Sequence, residues 1–421
     1  MSSLRVVVLA VVAACRLDDT PAPPGNAVEL TIVVDGDGCG GVIVEAAGIA
    51  CPGICRATLR TGTRVTIDAV ACDTANTLQG VSNLPCDRTP CTFTVDQSTT
   101  LFARFQAPRN LAFVSRGVVA GSATTIAAAD ALCAQEATAA GLAGTYIAWL
   151  STTTAPIAPR LANAHGWIRP DGLPVANDLL ATAATPFHYP IALYADGMAV
   201  PFATEVLTGT TTAGIAATNC NDFTAQTSSI TGRPGAVDGA FTEQPPLQPN
   251  CGEHPVYCVG IDHDVGIDPL AFLGKLAFVS APHALGGGRA AADARCADEA
   301  AAAGREGTFQ ALLETTDQRA TAGFSSVLGW VDARGHRLFA SVASAPASAI
   351  AYGANGEPRG AGVWTGAAGP TPDQADATCA DWTSTSATAI GAIGSSNDAL
   401  RYWRADALGC ENSFALYCLE R

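Results

Sequence analysis

Ala128-Ala-Asp-Ala-Leu-Cys133 recurs 163 residues later as Ala291-Ala-Asp-Ala-Arg-Cys296, and this echo decides how the chain is organised. The match extends on both sides. Upstream, Leu111-Ala-Phe-Val-Ser115 answers Leu276-Ala-Phe-Val-Ser280; downstream, Gly144-Thr-Tyr146 answers Gly307-Thr-Phe309 and Gly166-Trp167 answers Gly329-Trp330. Late in each copy Cys220-Asn-Asp-Phe-Thr224 matches Cys379-Ala-Asp-Trp-Thr383, and Tyr257-Cys258 matches Tyr417-Cys418. A self-similar period of this length is a duplicated domain, because solenoid repeats are several times shorter.

Each copy carries four cysteines in register. Cys133, Cys220, Cys251 and Cys258 are separated by 87, 31 and 7 residues, and Cys296, Cys379, Cys410 and Cys418 by 83, 31 and 8. An even set used twice reads as a disulfide framework in a chain that leaves the reducing cytosol. Counting alone permits three pairings per copy. Leu-Ala-Phe-Val-Ser is a short apolar strand. From Ile126 to Ala140, the residues Ile126, Ala129, Cys133, Ala137 and Ala140 share one helix face, while Gln135 and Thr138 point away. Gly141, or Gly304 in the second copy, is the expected helix stop. Cys133 is thus placed on the buried stripe of a helix, and Cys258 in a final strand, Pro255-Val-Tyr-Cys-Val259.

On several of these residues each copy resembles an uncharacterised domain of bacterial lipoproteins that includes the leptospiral endostatin-like surface proteins. The carriers are Ala129-Asp-Ala-Leu-Cys133, Ala140-Gly-Leu-Ala-Gly-Thr-Tyr146, Ala148-Trp-Leu-Ser151, Val363-Trp-Thr-Gly366, Cys379-Ala-Asp-Trp-Thr-Ser384 and Leu416-Tyr-Cys-Leu419. The resemblance implies an α+β, C-type lectin-like (endostatin-like) fold over 110–261 and again over 276–421, with 262–275 as linker. It also implies nested bonds, Cys133 with Cys258 around Cys220 with Cys251, and Cys296 with Cys418 around Cys379 with Cys410. The first copy departs at Val206-Leu-Thr-Gly209 and Phe223, where the second has Trp364 and Trp382.

Residues 28–107 read differently. Val28–Val34, Arg64–Asp68 and Cys91–Val95 alternate apolar and polar residues between Gly-rich turns, the pattern of a small all-β unit. Six cysteines supplement its small core. Cys51 with Cys55 and Cys86 with Cys91 can each close a tight loop, leaving Cys39 and Cys72 to pair over a longer one. A zinc site at Cys51-Pro-Gly-Ile-Cys55 is the weaker reading, since no histidine lies in the segment. Leu30-Thr-Ile-Val-Val34, Gly48–Cys55, Gly62-Thr-Arg-Val-Thr-Ile67 and the ending Leu101-Phe-Ala-Arg-Phe105 resemble an internalin-type B-repeat. That family pattern has Gly-Trp where this chain has Gly80-Val81. The resemblance implies a non-catalytic spacer or adhesive unit.

Residues 1–15, MSSLRVVVLAVVAAC, combine one positive charge with an apolar run too short to span a bilayer, which is the form of an export signal. Val12-Ala-Ala-Cys15 resembles the lipobox of bacterial lipoproteins, which implies cleavage before Cys15 and acylation of its thiol. The alternative is an ordinary signal peptide with an incidental cysteine. Fifteen cysteines favour the lipid, because removing Cys15 leaves fourteen in groups of six, four and four. Residues 16–27 are Pro-rich and read as a tether. A net charge of −15 repels phosphate backbones, so nucleic acid is excluded as a partner.

Catalytic patterns do not emerge. A nucleophile elbow, a P-loop and a zinc-protease helix are missing from the sequence. The histidines at 165, 188, 254, 263, 283 and 336 do not match between copies and read as surface or satisfied residues. Asp262-His-Asp-Val-Gly-Ile-Asp268 has only part of a calcium loop and reads as solvated linker. Gln248-Pro-Asn250 is similar to a lectin sugar-binding tripeptide but sits directly before Cys251. Asp222 and Asp381 recur beside an aromatic and suit loop capping. Gly286-Gly-Gly288 reads as loop, and Trp167 and Trp330 as core. The expectation is an exported, lipid-anchored protein of the bacterial cell envelope, at the outer membrane or cell surface. It needs no cofactor or metal, is not an enzyme, and binds an extracellular protein or carbohydrate. The alternative is a structural lipoprotein that contacts the cell's own wall or membrane.

Overall fold

A computed structural model describes residues 27–72, 76–86, 88–180, 187–201, 204–211, 213–227, 229, 231–236, 251–267, 271–324, 329–367 and 377–421. Cys15, Gln248-Pro-Asn250 and Asp268 lie outside the described residues. The protein is a β-rich multidomain chain with few helices.

The N-terminal unit is a two-sheet sandwich. Its strands are β1 (Ala27–Gly36), β2 (Gly40–Val44), β3 (Ile49–Cys51), β4 (Ile54–Arg60), β5 (Thr63–Ala71), β6 (Thr77–Ser82), β7 (Cys91–Val95) and β8 (Thr99–Gln106). One sheet runs β4-β1-β8-β6 and the other β3-β2-β5-β7, so the chain changes sheets at Cys51-Pro-Gly53. Leu30, Ile32, Val44, Ile67, Leu101 and Phe105, each almost completely buried, fill the space between them as the period-two pattern requires. Disulfides Cys39–Cys72, Cys51–Cys55 and Cys86–Cys91 staple this core. Cys51 and Cys55 spend their thiols on each other.

The first repeat is built on a five-stranded sheet in the order Tyr146–Ala148, Tyr257–Gly260, Asn110–Val114, Trp167–Ile168, Pro174–Ala176. The second repeats that order with Phe309–Ala311, Ser413–Glu420, Lys275–Val279, Trp330–Val331 and Arg337–Phe339. Its sheet continues past Ser413–Glu420 through Gly362–Trp364, Ile390–Ser395 and Asp406–Gly409. Alternation sends Ala112 and Val114 to one face and Phe113 to the other.

The helix Ile126–Ala139 lies on the Phe113 face, with Ala129, Cys133 and Ala137 buried and Ile126 and Ala140 partly so. Thr125 caps it by accepting the Ala128 amide, and Gly141 leaves it at φ +72°. Gly288–Ala302 is the counterpart; it begins at Gly288, so only Gly286 and Gly287 of the expected loop precede it. Cys133 bonds Cys258 and Cys296 bonds Cys418, which ties each helix to its terminal strand; Cys220–Cys251 and Cys379–Cys410 lie inside. Of the three pairings the count allowed, both copies adopt the nested one.

The repeats share a core. Ala349, Ala351 and Tyr352 of the second pack among Trp149, Trp167, Tyr257 and Ile191 of the first. Phe272 of the linker seats with Leu173, Tyr189 and Val331. Asp262 and Asp264 are solvent-exposed, as a solvated linker requires, and are also anchored: Asp262 accepts the Thr145 amide, and Asp264 pairs with His165 at 2.8 Å. Among the described residues, no helix is long and apolar enough to cross a membrane.

Candidate binding surface

Five side-chain devices recur and define a common frame. Ser115 and Ser280 cap the strand opposite, accepting the Val256 and Leu416 amides at 2.9 Å each. Asp130 and Asp293, the acids of the Ala-Asp-Ala motif, accept the Ala148 and Ala311 amides at 2.8 and 2.9 Å. Arg160 Nη2 donates to both carboxylate oxygens of Asp130, while Arg289 approaches Asp293 from the same helix. Burial outweighs Arg289 and pushes the Asp293 carboxyl up. Trp167 and Trp330 donate their indole N–H to the Gly260 and Glu420 carbonyls at 2.9 and 2.8 Å. Both rings are 1% exposed, so they are core.

Asp222 and Asp381 do more than cap a loop. Each lies in a single turn, Cys220–Phe223 or Cys379–Trp382, in which all four residues have positive φ. Left-handed backbone costs about 1–2 kcal/mol per non-glycine residue, so something must hold it. The Asp222 carboxylate accepts both the amide and hydroxyl of Thr153, and Asp381 does the same with Thr316. The Thr153 hydrogen bonds and those of Thr316 hold these carboxyls below the usual range. The disulfides at Cys220 and Cys379 fix the other end. Asn221-Asp222 was a readable signal for this geometry; Ala380-Asp381 was not.

The fifth device frames the exposed end of each repeat. Glu136 accepts the Arg116 and Gly117 amides at 2.8 and 2.6 Å, and Glu299 accepts the Ala281 amide at 3.0 Å. A tight turn faces each glutamate: Tyr194–Met198 in the first copy, Gly353–Glu357 in the second. What stands on this frame differs. In the first copy Arg116 lies 4.1 Å over the Tyr194 ring and 2.7 Å from Asp196, beside exposed Val118 and Met198. In the second, Arg359 bridges Glu299 and Glu357, and Arg295 pairs with Glu299 at 2.8 Å. Arg295, Glu299, Arg359 and Asn355, with four alanines between them, line a cavity of about 300 Å³. The first copy presents an aromatic-apolar face, the second a cleft of paired charges. Sequence reasoning missed Glu136 and Glu299 because a lone helical glutamate reads as a solvated face. Glu299→Ala is expected to lower stability by about 1–2 kcal/mol in denaturant titration, since it frees an amide and two guanidiniums at once.

Trp364 and Trp382 of the second copy do not reach this surface. They pack at 5.8 Å inside the core, where Leu207 and Phe223 stand in the first. These two departures between copies lie wholly in the core. His263 anchors the linker through its backbone to Asn110, and His188 meets His336 across the repeats. Among the described residues, no three His, Cys, Asp or Glu side chains converge as metal ligands would.

The fold and its seven disulfides define a β-rich multidomain protein of the exported, disulfide-stapled class. No family model matches the chain, and the curated proteins give no match.

Proposed function

We propose that this is a lipid-anchored bacterial envelope protein that presents two C-type lectin-like repeats, on a B-repeat-like spacer, to an extracellular protein or glycan. It acts by binding and not by catalysis. One observation carries the reading: the two copies keep the same internal frame while the side chains over its exposed end differ. A frame retained under divergent surface chemistry is what a binding scaffold needs, because rigid elements position variable contacts. The Tyr194–Arg116 face suits an amphipathic contact with protein, and the Arg359–Asn355 cleft offers polar donors to a hydroxylated or charged ligand. Two acyl chains or more at Cys15 would hold the chain on a membrane, and residues 16–27 would space it from the surface.

The full exported chain, immobilised, is to be tested against matrix proteins, complement proteins and glycans. Binding to one class, weakened about tenfold or more by Arg116→Ala or Arg359→Ala, supports the proposal. Silence across all three classes refutes it, and leaves a structural role at the cell's own wall. Intact mass before and after reduction reports the lipid and the disulfides together: reduction adds fourteen hydrogens if all seven bonds form.

A further inference from the structure

Where the repeats meet, three titratable side chains form a line. The Asp332 carboxylate, fully buried, takes the His336 Nδ1–H at 2.8 Å. Its other oxygen accepts the Arg334 and His336 amides. With its Nδ1–H engaged by Asp332, His336 turns Nε2 toward His188 Nδ1 of the first repeat at 3.3 Å, where one ring nitrogen donates and the other accepts. One hydrogen fits in that gap and two do not. The surroundings belong to both repeats. Tyr189 stacks edge-on against His336 and its hydroxyl accepts the Arg337 amide. The Ser348 hydroxyl donates to the His188 carbonyl, and Arg169 donates to the Ala347 carbonyl. Every one of these bonds crosses between the copies.

We propose that Asp332, His336 and His188 form a proton-operated latch that joins the two repeats near neutral pH and releases them in acid. Protonating both imidazoles sets two N–H groups against each other across 3.3 Å and places two imidazolium cations beside Arg334, with Asp332 as the balancing carboxylate. Burial, then His336 and Arg334, push the His188 pKa down to about 4. The sign follows. An undocked His188 titrates near 6.5, so between that pH and about 4 the open form binds more protons and docking weakens as pH falls.

Neighbouring groups do not mimic this. Burial raises Asp171, but Arg169 outweighs it and keeps the carboxyl ionised through the window. Tyr189 is raised by burial and stays neutral, and the Arg334 and Arg337 guanidiniums are the cations nearest this pair. Farther along the junction Asp398, beside Arg233 of the first repeat, is raised by burial. Its effect has the opposite sign, favouring the docked form as pH falls.

The test is amide exchange on the full chain from pH 7 to 4.5, corrected for intrinsic rates. Protection of 187–194 and 336–339 is expected to fall about ten- to a hundredfold below pH 6.5, while the N-terminal sandwich keeps its own. His188→Gln, which retains a hydrogen-bonding group without titrating, should dock at pH 7 and lose this acid response. Unchanged protection in the parent, or the same acid loss in the variant, overturns the latch. Should the variant fail to dock, an NMR titration of His188 decides: a midpoint well below 6 supports it, and one near 6.5 overturns it.

Discussion

Replacing Cys296 and Cys418 together with alanine is expected to lower the stability of the second repeat by about 5 kcal/mol, the value chain entropy assigns to a closed loop of this size. The bond spans 122 residues and joins the helix Gly288–Ala302 to Ser413–Glu420, the strand that pairs with Lys275–Val279 and Phe309–Ala311. Both sulfurs are fully buried, so their loss also empties space between Phe278, Ala292 and Leu416. By the same account Cys51→Ala with Cys55→Ala costs only about 2 kcal/mol, since four residues separate them and little loop entropy is at stake. Guanidinium unfolding separates the cases when the second repeat is read by the fluorescence of Trp330, Trp364, Trp382 and Trp403, and the sandwich, which has no tryptophan, by amide exchange. Equal losses from the two pairs would mean that loop length is not what these bonds act through.

Much of this architecture could be read from the sequence because it rests on local patterns. Helical periodicity places Cys133 on a buried stripe and Cys258 falls in the final apolar strand, although the choice among three pairings is not legible in spacing. Gly166 and Gly329 precede tryptophan because the chain turns there at φ +69° and +70°, and a side chain would strike the backbone of Val265 or Phe339. What escaped reading was long-range and assembled from ordinary residues. His188 and His336 are 148 positions apart and belong to no repeated motif, so their contact left no trace in spacing. The docking face is built partly on Ala349 and Ala351, small residues that any strand or loop could carry. The candidate binding surface escaped for a related reason. Glu136 and Glu299 hold backbone amides, and such a bond depends on where the chain passes, not on which residue donates. Asp262 and Asp264 are solvated as their sequence indicates, but nothing in it shows that Thr145 and His165 lie beside them.

The largest single-residue effect is expected at Trp330. Changing it to alanine should lower stability by about 3–5 kcal/mol, as for other buried large-to-small substitutions. The ring is 1% exposed and packs against Phe339 at 5.7 Å and Phe324 at 6.5 Å. Its N–H serves the carbonyl of Glu420, in the last strand of the repeat. Truncation therefore opens a cavity under the parallel pair formed by Lys275–Leu276 and Trp330–Val331 and strands a carbonyl at its edge. Trp330→Phe separates these contributions, for most of the apolar volume stays while the hydrogen bond goes. Its cost should be nearer 1–2 kcal/mol. Trp167→Ala in the first repeat should behave alike, with Gly260 as the stranded partner. Ligand measurements on the same variants discriminate core from platform. A core tryptophan changes affinity only where unfolding is under way, so Trp330→Phe should bind as the parent does under native conditions. Loss of binding by that variant at unchanged stability would instead put the indole in contact with ligand and move the binding surface to this edge of the sheet.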